Sequence, residues 1–229
     1  MSANPGIDNG WNGRRPARRL WVRAWLAAAA ALLFGILYFF VRQHIKDGVW
    51  RFDLSLVDKS LGVSALVLLT LSMFLTVLAY FSRGSGKLLA YRKSFGLVGF
   101  WTALAHGTVN HFLLPAVGLQ SERGDGVTHA AGAGLAALIV FALMAVASDD
   151  RVRIRIGTER WRKLLRYAGY AGLVLGAGHV ALLKWSSWTN FFRTFDPFLP
   201  SLSLPAAAFA AAAVLLRLAV GLSRRRKKP

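Results

Sequence analysis

Residues 91–115 read YRKSFGLVGFWTALAHGTVNHFLLP, and the reading of this stretch decides the rest. It opens on Arg92 and Lys93, runs apolar for about twenty residues, and holds His106 and His111 inside the run. About twenty apolar residues in a helix cross the hydrocarbon core of a bilayer. Ionisable side chains at such depth are costly, so they face the bundle interior and mark function. A second run, ERWRKLLRYAGYAGLVLGAGHV at 159–180, repeats the pattern of basic start, apolar body and late histidine, His179. Two imidazoles facing each other from neighbouring helices can serve as axial ligands of a heme iron.

The surrounding composition agrees with a membrane setting. Of 229 residues 55% are hydrophobic, and the charges sit in clusters at the ends of apolar segments. Too little polar sequence remains for a separate soluble domain. The absence of cysteine excludes disulfides, thiolate metal sites and iron–sulfur clusters. A net charge of +19 would point to nucleic acid in a soluble protein. Here it marks topology, and no nucleic-acid partner is expected.

Six apolar segments, at roughly 22–41, 62–81, 95–117, 128–148, 164–184 and 202–221, are each about a bilayer long. The expected fold is an all-α, six-transmembrane-helix bundle over residues 21–222. A disordered basic tail at 1–20 precedes it and a basic tail at 223–229 follows. Of the 29 basic residues, 22 fall in the two tails and in the loops between segments two and three and between four and five. The positive-inside rule therefore puts both termini in the cytoplasm, with the chain multi-pass in the inner (plasma) membrane.

The outer connections, 42–61 and 185–201, are rich in Trp and Phe. They are either an interfacial aromatic belt or a docking surface for a partner at the periplasmic face. RVRIRI at 151–156 alternates charged and β-branched residues, as a short strand or an interfacial segment would. The sixth segment has no polar residue before Arg217 and reads as a peripheral packing helix.

His106 and His111 lie five residues apart, roughly 140° around a helix, so one cofactor cannot use both. Gly99, Thr102, Ala103 and Asn110 share the face of His106, whereas Phe100, Leu104 and Leu114 share that of His111. Small and polar residues line helix interfaces in membranes. His106 is thus the interior choice, with His111 as a secondary candidate. His179 shares a face with Ala168, Gly172 and Gly176, where a flat macrocycle would find room. Simple helix contact through the two glycines is the alternative. His106 follows Arg92 by 14 residues and His179 follows Arg166 by 13, which matches their depths at roughly 20 Å from the cytoplasmic interface. His129, at the start of the fourth segment, reads as a structural residue and a secondary site candidate. His44 reads as solvated, and no span carries a buried acidic residue on this segmentation.

The stretch YRKSFGLVGFWTALAH, and GTERWRKLLRYAGY followed by His179, resemble the two histidine-bearing helices of the ferric-reductase-like transmembrane domain family of b-type cytochromes. Within that family they are similar to the heme-binding membrane subunits of bacterial periplasmic methionine sulfoxide reductase systems. The similarity covers roughly residues 57 to 185. It implies an inner and an outer heme site, the outer ligands matching His106 and His179. The inner positions fall on Arg92, which the methionine-sulfoxide-type members share, and on Leu165, where the family has histidine. The resemblance therefore implies one b-type heme on the outer-leaflet side, with quinone as a further cofactor and Arg92 near it. The expected role is an electron-transfer subunit, not an enzyme on its own, between a membrane donor such as quinol and a partner at the outer face. The alternative is an accessory subunit of a larger membrane complex that keeps the fold without some or all of its heme.

Overall fold

The computed structural model describes residues 14–81, 85–119 and 125–226. Most of the described residues are helical, with no strand among them. The elements are α1 (Arg14–Asp47), α2 (Leu54–Phe81), a 3₁₀ segment (Ser85–Ala90), and α3 (Tyr91–Thr108). A π-helical turn (Val109–Leu113) and the short α4 (Leu114–Ala116) continue α3. Then come α5 (Asp125–Ala147), α6 (Asp150–Ile156), α7 (Thr158–Thr194) and α8 (Ser203–Arg226). Of the expected N-terminal tail, residues 1–13 lie outside the described residues, and the remainder forms the opening of α1. Residues 227–229 of the expected C-terminal tail also lie outside them, while 223–226 continue α8.

Among the described residues, four helical stretches are long and apolar enough to cross a membrane: Arg18–Asp47, Leu54–Phe81, Thr128–Ala147 and Ser203–Ser223. The helices that carry His106 and His179 are not among them. Arg92 and Lys93 open α3, and glycines, tyrosines, Arg166 and His179 dilute the apolar body of α7. A helix that builds a polar site on one face lowers its own hydropathy.

Helix α2 is the axis of the bundle, packed most extensively on α3 and also against α1, α7 and α8. Its apolar residues Leu66, Leu69 and Met73 join Phe100 of α3, Phe141 of α5, Leu173 of α7 and Ala206 and Ala210 of α8 in one core. Small residues let the backbones approach, the usual means of packing where lipid is as apolar as leucine. A Cβ on Gly99 would lie 3.0 Å from Leu69 Cγ, and one on Gly172 only 2.8 Å from Phe141 Cζ. Two buried hydroxyls of α2 are satisfied: Ser60 donates to the Leu56 carbonyl at 2.8 Å and Ser72 to that of Arg92, at the start of α3, at 2.7 Å. Helix α8 turns a stripe of Ala206, Ala210 and Ala213 inward onto α2 and α7.

Three sequence expectations change. α2 begins at Leu54, eight residues before the apolar run, because Asp53 caps it: its carboxylate accepts from Leu56 N at 3.0 Å and Ser55 Oγ at 2.6 Å. Such a cap is worth about 1 kcal/mol. Partial burial opposes ionisation of Asp53, but those hydrogen bonds and the charges of Lys59 and Arg51 hold its pKa below the usual carboxylate range. RVRIRI is not a strand. It lies in α6, where Asp149 accepts from Arg151 N at 2.7 Å as the N-cap. The aromatic outer connections are mostly helical too, since α1 runs to Asp47 and α7 to Thr194.

Candidate functional site

Helix α3 packs beside α2, and α7 beside α5; the two pairs bring His106 and His179 together. Their ring centroids are 6.5 Å apart with the planes at 65°. Two imidazoles bound at ~2 Å to opposite sides of one metal atom place their centroids roughly 6–6.5 Å apart. The separation therefore fits a shared iron.

Each ring is held through Nδ1. His179 Nδ1 lies 2.7 Å from the Ala130 carbonyl of α5. His106 Nδ1 lies 2.8 Å from Asp58 Oδ1 and 3.1 Å from the Asp58 carbonyl of α2. Carbonyl oxygens only accept, so Nδ1 is the protonated, donating nitrogen of both rings. That leaves Nε2 of each with a lone pair, the tautomer a metal-binding histidine needs. Both rings lie against glycine. A Cβ on Gly62 would come within 3.1 Å of His106 Cε1, and one on Gly134 within 2.8 Å of His179 Nδ1.

Asp58 is the residue that sequence reading missed. It is 5% exposed, inside α2 rather than in an outer loop, so a span does carry a buried acid. Its second oxygen accepts from Asn110 Nδ2 at 3.1 Å. Asn110 sits in the π turn that follows α3, a distortion frequent at functional sites. The Asp53 cap was the available signal, because a helix starting at Leu54 has Asp58 in its second turn.

The other candidates make no hydrogen bond with the pair. His111 is exposed in the π turn, and His129 is exposed near the start of α5. Arg92, at the other end of α3, points a guanidinium nitrogen to 3.9 Å from Met73 Sδ. Leu165 is half-buried on α7. His44 is not simply solvated: its ring stacks on Trp50 with centroids 3.9 Å apart and planes at 9°.

Among known proteins, the model of the family described as ferric reductase like transmembrane component matches residues 61–177. That range contains His106 and stops two residues before His179. The protein-methionine-sulfoxide reductase heme-binding subunit MsrQ of Agrobacterium fabrum is 29% identical over 172 residues, covering 75% of this chain and 77% of its own.

Proposed function

The chain belongs to the ferric reductase like transmembrane component family, and on that premise we propose that it is a heme-binding electron-transfer subunit of the inner membrane. One b-type heme is held between His106 and His179. The observation that carries this reading is the pair of imidazoles 6.5 Å apart, both committed through Nδ1 to acceptors and both left with Nε2 for a metal. The relative from Agrobacterium fabrum, named for heme binding in methionine sulfoxide reduction, supports it. Bound heme supplies one-electron chemistry; the chain supplies the ligands, their tautomers and a water-poor helix interface.

The two inner positions offer no ligand for a second heme nearer the cytoplasm. Leu165 is hydrocarbon, and the Arg92 guanidinium has no lone pair to give. The gap that Gly169 and Gly172 open on α7 is taken by Met73, Met144 and Phe141. Arg92 is assigned instead to a quinone oxygen or a lipid phosphate at the interface. Pyridine hemochrome analysis of purified protein should give about one b-type heme per chain. Two per chain would mean an unidentified inner ligand, and none would favour a cofactor-free accessory subunit.

The bundle is read as six spans over 21–222, with α3 and α7 crossing alongside the four more apolar helices and both termini cytoplasmic. A reporter fused after Pro229 should then read cytoplasmic, as should one inserted between Asp149 and Lys163. A periplasmic signal at either place overturns the topology. On this topology the exposed rings of Trp50, Phe52, Trp185 and Phe198 face the periplasm, where a partner protein would exchange electrons.

A further inference from the structure

The two imidazoles are backed by different chemistry. His179 donates to a neutral backbone carbonyl, whereas His106 donates to the carboxylate of Asp58. Asp58 is almost fully buried, and no Lys or Arg among the described residues pairs with it; its close side-chain partners are the neutral His106 ring and Asn110. Its remaining oxygen is fixed by Asn110, so the carboxylate cannot swing away to solvent. A charge in such a place acts at low effective dielectric and is weakly screened.

We propose that Asp58, oriented by Asn110, is the positioning residue of His106: it presents Nε2 to the heme iron and makes His106 the more electron-donating of two unequal axial ligands. A hydrogen-bonded carboxylate raises the basicity of a ligating imidazole. A nearby negative charge also favours ferric over ferrous iron, whose charge is one unit smaller. Both effects lower the reduction potential. The site then delivers electrons more readily than one with two carbonyl-backed histidines. A merely structural Asp58 would hold α2 to α3 without moving the potential.

This inference rests on the heme reading above, and its test separates the two. Asp58→Asn keeps an oxygen to accept from Nδ1 but removes the charge. In optical redox titration of the purified protein it should shift the ferric/ferrous equilibrium at least tenfold toward ferrous. That is a rise of 59 mV for a one-electron couple, with an unchanged low-spin spectrum. Asp58→Glu, which restores the carboxylate, should move the midpoint back toward wild type. A wild-type midpoint in Asp58→Asn overturns the proposal. Histidine-selective ¹⁵N NMR on heme-free protein supplies the arm that needs no heme. His106 should be Nδ1-protonated in the wild type, and its Nδ1 resonance should move in Asp58→Leu, where only the residue-58 carbonyl is left to accept. An Nε2-protonated His106 in the wild type overturns the positioning role. Wild-type protein purified from heme-replete cells without a Soret band would sink the heme reading instead, while the tautomer result still judges Asp58.

Discussion

Alanine in place of either His106 or His179 is expected to strip the protein of heme. On the proposed reading each imidazole would hold the heme iron, and no other described side chain stands ready to replace it. His111 and His129 are exposed, and Asp58 is occupied by His106 and Asn110. Loss of a residue that merely orients a metal-binding histidine costs about 10–100-fold in affinity. Loss of the ligand itself should exceed that, leaving less than about one-tenth of the wild-type Soret absorbance per protein. His111→Ala and His44→Ala should purify with full heme. Heme kept by His106→Ala but lost from His111→Ala would mean that the opposite face of α3 holds the iron.

Gly134→Val should have an effect nearly as large without touching a ligand. The α5 backbone passes so close to His179 that a Cβ on Gly134 would meet Nδ1, Cε1 and Cγ at 2.8, 3.0 and 3.2 Å. These are atoms of a rigid ring, tied at 2.7 Å to the Ala130 carbonyl one helical turn earlier. The ring cannot yield without giving up that bond or tilting Nε2, and relief by spreading α5 from α7 costs about 1–3 kcal/mol in overpacking. Heme affinity should fall by about 10–100-fold, the range seen when the support of a ligating histidine is lost. Far-ultraviolet circular dichroism should stay helical. Gly132→Ala is the control, because a Cβ there meets nothing within 4 Å. Wild-type heme retention by Gly134→Val in a heme titration would show that the close approach has no bearing on the site.

Much of the molecule was legible as pattern. The apolar runs give helices because buried backbone in lipid must satisfy its hydrogen bonds internally. The choice of His106 over His111 follows from helical phase: the one lies among Gly99, Thr102 and Asn110, the other among bulky apolar neighbours. Nearly equal offsets of the two histidines from Arg92 and Arg166, 14 and 13 residues, anticipated that their rings would meet. Where pattern failed, a local polar cue had been outweighed by hydropathy. Asp53 and Asp149 are both N-caps, and each begins a helix where composition suggested a loop or strand. Six alternating residues such as RVRIRI are too few to separate the two periods.

The sequence by itself determined an all-helical membrane chain, the clustering of its charges, and which two histidines share small-residue faces. Those properties reside in single helices, whose period is set by the backbone alone. Only the tertiary structure decided what each imidazole leans on. The acceptor for His179 is a main-chain carbonyl, a group every residue carries, so no residue type could announce Ala130. The acceptor for His106 is a carboxylate 48 positions away, brought near by packing of α2 on α3. Which nitrogen of each ring is left free, and which imidazole is backed by a carboxylate, are consequences of that packing.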